Sequence, residues 1–177
     1  GNSLGGFKEY LDLERKYPTF QGGFIWEFVD HAIHWKDKDG KPIYGYGGDF
    51  NDLDYSINGH YVNKGLVNAD RIPYPEMYEA GYFYQNIWTN IDSSTKGGIT
   101  VYNENFFRDL SAYYLAWNIL KDGKIIRTGR VENLDVALHQ TTKIKLDIPE
   151  LPNDSSEYLL NVSYKLKNAE GLLPLDY

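Results

Sequence analysis

Six short β-like runs, separated by turn residues, fill the second half of this 177-residue chain and set the strongest limit on its fold. They lie at residues 87–90, 98–103, 113–121, 124–131, 142–146 and 157–166, and they favour β-branched and aromatic side chains. Leu120-Lys121-Asp122-Gly123-Lys124 is the sharpest turn signal, because Asp-Gly supplies the positive φ angles of a two-residue hairpin. Strands at this spacing predict an antiparallel β-sandwich. The residues from Glu170 to Tyr177 add no closing strand, so the expectation is a sandwich that loses an edge strand or continues further.

The first half reads differently. Residues 3–17 carry Leu4, Phe7 and Leu11 at near-helical spacing, with Asn2 or Ser3 as cap and Pro18 as stop, which predicts a helix. Phe24-Ile25-Trp26 with Phe28-Val29 is a nearly continuous apolar run just after Gly22-Gly23, and it predicts a buried parallel strand. Asp37-Lys38-Asp39-Gly40 predicts a turn between aromatic flanks, closing a small hairpin. Residues 44–71 hold too much Gly, Asn and Asp for regular structure, and loops of that length are usually functional or disordered. Residues 75–85 suit a short helix with Pro75 in its first turn.

Composition removes several classes of function. Asp and Glu number 25 against 18 Lys and Arg, a net charge of −7, which argues against nonspecific nucleic-acid or anionic-membrane binding. The chain has no cysteine, so disulfide frameworks, thiolate zinc sites and cysteine nucleophiles are excluded. No apolar run approaches the roughly 18–20 residues of a membrane span. The opening Gly1-Asn2-Ser3-Leu4 is not a signal peptide and carries no starting methionine, so the expectation is a piece of something longer. Aromatics make up 16% of the chain, which suits both aromatic-lined clefts and β-sheet cores.

Chemistry-bearing residues each admit two readings. Glu27 and Asp30 follow the apolar run, and Asp49, Asp52 and Asp54 crowd one loop. Paired carboxylates can do acid–base work in glycoside chemistry, yet they equally anchor loop backbone and build turns. His31 and His34 have a spacing that suits a metal on a helix, but no third ligand stands near, which favours surface or loop histidines. Asp37-Lys38-Asp39-Gly40 lacks the later oxygen ligands of a calcium loop. Gly45-Tyr46-Gly47-Gly48 is not followed by Lys-Ser/Thr, and no G-x-S-x-G elbow exists, so nucleotide and serine-hydrolase readings lapse. Trp26 is either a core side chain or an aromatic plate for the apolar face of a sugar.

Four blocks occur in order: Gly1-Asn2-Ser3-Leu4-Gly5-Gly6-Phe7; Gln21-Gly22-Gly23-Phe24-Ile25-Trp26-Glu27-Phe28-Val29-Asp30; Tyr46-Gly47-Gly48-Asp49-Phe50; and Gly65-Leu66-Val67-Asn68-Ala69-Asp70-Arg71-Ile72-Pro73-Tyr74-Pro75. Together they resemble the β-galactosidases of glycoside hydrolase family 2. The resemblance implies an α+β fragment: residues 1–86 as the end of a (β/α)8 barrel (a helix, one strand, long loops, a short helix), and 87–177 as an immunoglobulin-like antiparallel β-sandwich. It also implies a retaining exo-β-glycosidase whose nucleophilic Glu stands just before Gly1, with the acid/base Glu further upstream. This chain then holds no catalytic residue and is inactive alone.

Residue by residue, the resemblance gives Trp26 a place against the galactosyl ring and gives the Tyr61 carbonyl a place at a sodium ion. Sodium or magnesium is the ion implied for the whole enzyme. Lys64, with Asn63 before it, stands where the family has an asparagine that touches the sugar and the sodium. An ammonium can replace a sodium ion as one fixed charge for another, and it can equally meet an anionic sugar, as the corresponding lysine of related β-glucuronidases does. Implied partners are a β-galactoside or related oligosaccharide, the upstream barrel half of the same polypeptide, and further copies in a homo-oligomer. Bacterial cytoplasm and periplasm suit the composition alike. The competing reading is a non-catalytic sandwich for carbohydrate binding or domain packing.

Overall fold

The computed structural model describes residues 4–50 and 63–177. They divide into two compact units, Gly1–Gln85 and Asn86–Tyr177.

The first unit begins with helix α1 (Phe7–Lys16), entered through Gly6 at φ 134°. That backbone angle starts the helix later than the cap at Asn2 or Ser3 predicts. Arg15 and Lys16 in its last turn complement the helix dipole, and Lys8 pairs with Asp12 one turn on. A hairpin follows, β1 (Ile33–Lys36) with β2 (Pro42–Gly45), in antiparallel register Ile33↔Gly45 to Lys36↔Pro42. Asp37 builds its turn as expected: one carboxylate oxygen accepts the amides of Asp39 and Lys41 at 2.9 Å each, and Gly40 takes φ 78°. Helix α2 (Pro75–Phe83) opens with proline at its first turn, where a missing N–H costs nothing. The rings of Phe83 and Tyr84 meet Phe7 edge to face, at centroid distances of 6.0 and 5.2 Å. The buried core of this unit is small, with Leu4, Leu66 and Ala80 backed by Phe7, Ile25 and Met77.

One expectation is corrected here. Residues 24–29 do not form a buried strand: Phe24, Trp26 and Phe28 are exposed, and Val29 makes only an isolated parallel bridge to Val67. The alternation is that of a strand, since Ile25, Glu27 and Val29 are half-buried between the exposed aromatics. What a buried strand needs besides is ladder partners, and backbone bonds to residues 66 and 67 are too few to make a sheet.

The second unit contains strands β3 (Ile87–Ile91), β4 (Gly98–Asn103), β5 (Tyr113–Lys121), β6 (Lys124–Val131), β7 (Thr141–Lys145) and β8 (Tyr158–Leu166). They form two three-stranded antiparallel sheets, ordered β3-β4-β7 and β6-β5-β8. Alternate residues turn inward: Ile99 and Val101 from one sheet, Leu115, Trp117 and Ile119 from the other, closed by Leu110, Leu134, Val136 and Leu146. Burying a Leu or Ile of this kind contributes roughly 1.5–3 kcal/mol, so this shared core holds the sandwich. Asp122 and Gly123 both take positive φ, 48° and 77°, and make the tight β5–β6 hairpin that the sequence predicts. Across the sheets the Thr89 and Tyr164 hydroxyls meet at 2.5 Å, and burial pushes the Tyr164 phenol up to about 12. The C-terminal residues form no strand, but they are tied down: Leu166 donates to Tyr177 and Asp176 donates to Leu166, each at 3.1 Å.

Candidate functional site

The first unit is organised around one carboxylate. Asp30 is 6% exposed, and its two oxygens accept from different segments. Oδ1 takes the Gly65 amide at 2.7 Å, and Oδ2 takes the Tyr74 hydroxyl, also at 2.7 Å. The bond to Asp30, with burial second, pushes the Tyr74 phenol up to about 12, so this donor keeps its proton at any physiological pH. Three backbone bonds run alongside: Leu66 to Glu27 at 3.1 Å, Val67 to Phe28 at 3.0 Å and Asp30 to Val67 at 3.1 Å. A side chain at Gly65 has no room, because a Cβ there would lie 2.4 Å from the Asp30 nitrogen and 2.6 Å from the Val29 carbonyl carbon. Glycine at this position is thus a requirement of close backbone approach.

Beyond Val67 the chain turns sharply. The Asn68 side-chain oxygen accepts the amides of Asp70 and Ile72 at 2.9 Å, Arg71 takes φ 67°, and Tyr74 returns to donate to Leu66 at 3.0 Å. Asp70 then collects His34 at 2.6 Å and the Tyr44 hydroxyl from the hairpin. Tyr44 first and His34 second hold this carboxyl below the usual carboxylate range. His31 pairs instead with Glu27, whose other oxygen is buried and without a partner among the described residues. The two histidines thus serve different carboxylates, His31 from a loop and His34 from the exposed strand β1.

The sequence-named residues fall in two places. Asn63 is exposed and Lys64 half-buried, and both immediately precede the Gly65 amide that Asp30 holds. Trp26, 74% exposed, begins the same extended segment that Asp30 ends. Its peptide bond to Glu27 is cis. Trp26 lines an apolar cleft of about 680 Å³ with Phe7, Tyr10, Phe20, Phe24 and Tyr84, and neither Asn63 nor Lys64 lines that cleft. Tyr61, Asp52 and Asp54 lie outside the described residues. Among the described residues no three His, Asp or Glu side chains gather to hold a metal ion, and none is assigned one. Asp30 acts as the backbone anchor, the second of its two sequence readings. Its partners Gly65 and Tyr74 are 35 and 44 residues away, and no local pattern announces them.

Known proteins resemble the chain along nearly its whole length. The family described as Glycosyl hydrolases family 2, TIM barrel domain, matches residues 1–89, and Beta-galactosidase, domain 4, matches residues 99–177. A β-galactosidase of Halalkalibacterium halodurans is 40% identical over 170 residues, covering 94% of this chain and 16% of that protein. One from Clostridium acetobutylicum is 39% identical over 171 residues, 96% of this chain and 18% of its own length. A third, from Vibrio vulnificus strain CMCP6, is 35% identical over 180 residues, 98% of this chain and 17% of its own. The chain therefore spans about a sixth of the length of these curated relatives.

Proposed function

The chain belongs to glycoside hydrolase family 2, and from that premise we propose that it supplies part of the sugar pocket of a retaining exo-β-glycosidase acting on terminal β-galactosides. The observation that carries this reading is an identity of 35–40% with β-galactosidases over 94–98% of the chain. Residues 1–86 are the end of the catalytic barrel, and 87–177 are the immunoglobulin-like sandwich that follows it. In this reading, as the family resemblance implies, both catalytic glutamates belong to the part of the polypeptide before Gly1, and the 177 residues alone do not hydrolyse a glycoside.

In this reading Trp26 is the floor of the pocket. Its indole is free to lie against the apolar face of a galactosyl ring, where area burial and C–H to π contact bind the sugar. Asn63 and Lys64 supply the polar contacts, Lys64 as a fixed positive charge at the place where the family resemblance implies an asparagine. The chain contributes binding and orientation, and that energy lowers the barrel's barrier only so far as it is larger in the transition state.

The test is Trp26→Ala in the full polypeptide, assayed with a nitrophenyl β-galactoside. A fall in kcat/KM of about a hundredfold is expected, in line with the loss of a stacked aromatic. Wild-type kinetics in that variant would remove Trp26 from the pocket, and would leave the sandwich-module reading to be tested by calorimetry with oligosaccharides.

A further inference from the structure

From the Asp30 geometry we infer that this buried carboxylate is a positioning residue for the sugar pocket, acting through the Gly65 amide on Lys64. The inference rests on the reading of Lys64 as a sugar contact. Asp30 is almost wholly buried and both its oxygens are taken by protein donors, so it acts on the pocket through those donors and not by meeting a ligand itself. Its Oδ1 accepts the Gly65 amide at 2.7 Å, the bond length of a charge-assisted contact. Gly65 is the residue after Lys64, so that bond sets the backbone from which the lysine projects.

Two further observations make the anchor stiff. Tyr74 donates to the second oxygen at 2.7 Å, which leaves the carboxylate one orientation. Gly65 has no Cβ, and one added there would lie 2.4 Å from the Asp30 nitrogen, so the loop backbone packs closely against residue 30 and leaves little room for inward movement. Outward movement breaks the charge-assisted bond. Trp26 is held differently. It lies four residues before Asp30 and against the cleft beside α1, so it does not depend on the Gly65 amide. A positioning role thus predicts coupling of Asp30 to Lys64 and none to Trp26.

The experiment is a set of double-mutant cycles in the full polypeptide, with KM and kcat for a nitrophenyl β-galactoside. Asp30→Ala should raise KM about tenfold, the range for losing a hydrogen bond to a charged group. Asp30→Asn keeps an acceptor for Gly65 without the charge, and should raise KM about threefold. If the alanine variant does not fold, the asparagine variant carries the test. In a Lys64→Ala background either change should add less than about twofold, whereas in a Trp26→Ala background its full effect should persist. Wild-type KM for Asp30→Asn, or an undiminished effect in the Lys64→Ala background, overturns the positioning role while leaving the pocket intact. A Lys64→Ala variant with unchanged KM overturns the Lys64 contact itself, and the positioning role falls with it.

Discussion

Arg108 and Glu170, 62 residues apart, meet through two parallel bonds of 3.0 Å, with the guanidinium also over the Tyr113 ring at 4.7 Å. This clamp fastens the segment before β5 to the C-terminal tail, and the bond from Arg108 holds the Glu170 carboxyl below the usual range. A depressed carboxyl stabilises the fold above its ordinary value and stops doing so as pH falls through its folded value. Glu170→Gln should therefore lower the protection of the Leu166 and Asp176 amides at neutral pH, relative to a free peptide at the same pH, and the wild-type chain should fall to the same protection only in acid. Unchanged protection in the variant would mean that the Tyr114–Asp176 bond at 2.8 Å, with Lys165 on the Asp176 carbonyl and the backbone bonds to Leu166, holds the tail without the clamp.

Acid sensitivity of the sandwich should concentrate at two turns. Asp92 is lowered to about 2 by Ser94 and Lys143, and Asp154 to about 2 by Lys121 and the Ser156 amide. Both contributions are whole well above the ordinary value of 3.8 and are lost as pH falls from there toward 2. Thermal scans of the wild-type chain should show a midpoint that drops across that interval. With Asp92→Asn and Asp154→Asn together the drop should flatten, starting from a lower midpoint at neutral pH. An equally steep acid fall in the double variant would place the titrating groups elsewhere.

Gly129 on β6 faces the buried indole of Trp117, its Cα partner on β5. A Cβ there would lie 2.3 Å from one indole carbon and 2.5 Å from another, inside a packed sheet. Gly129→Ala should cost about 2 kcal/mol or more, since overpacking of this kind is only partly relieved by strain. Urea denaturation gives the number. A loss well under 1 kcal/mol would show that the β5–β6 ribbon bends more easily than its register suggests.

Strands β4, β5 and β6 occupy the same residues that the sequence marks out, because apolar alternation and the Asp122-Gly123 turn fix both register and ends locally. Residues 24–29 mislead for the converse reason: their pattern records a strand covered on both faces, while the described residues supply backbone partners along one side only. Asn63 and Lys64 were named through resemblance alone, since a lone lysine carries no local signature, whereas the position of Trp26 in the apolar run marked it as either a core side chain or an aromatic plate. The Asp30–Gly65–Tyr74 anchor joins residues 35 and 44 positions apart, and only folding brings them together.

The exposed aromatics of the first unit make the last prediction. Phe24, Trp26 and Phe28, at 103%, 74% and 55% exposure, stand in a row at strand spacing, and among the described residues their backbone is bonded along one side only. Apolar rows next to unpaired backbone are templates for association. The 177-residue chain should therefore self-associate, with an apparent mass by light scattering that rises with concentration. Phe24→Lys with Phe28→Lys should restore a monomer, because two like charges at alternate positions repel a second copy of the same row. Those changes lie outside the sandwich core, so the urea midpoint of the sandwich should stay where it was. A wild-type chain that remains monomeric at every concentration would mean that this row is covered in solution, and hydrogen exchange at residues 24–29 would then be slow rather than fast.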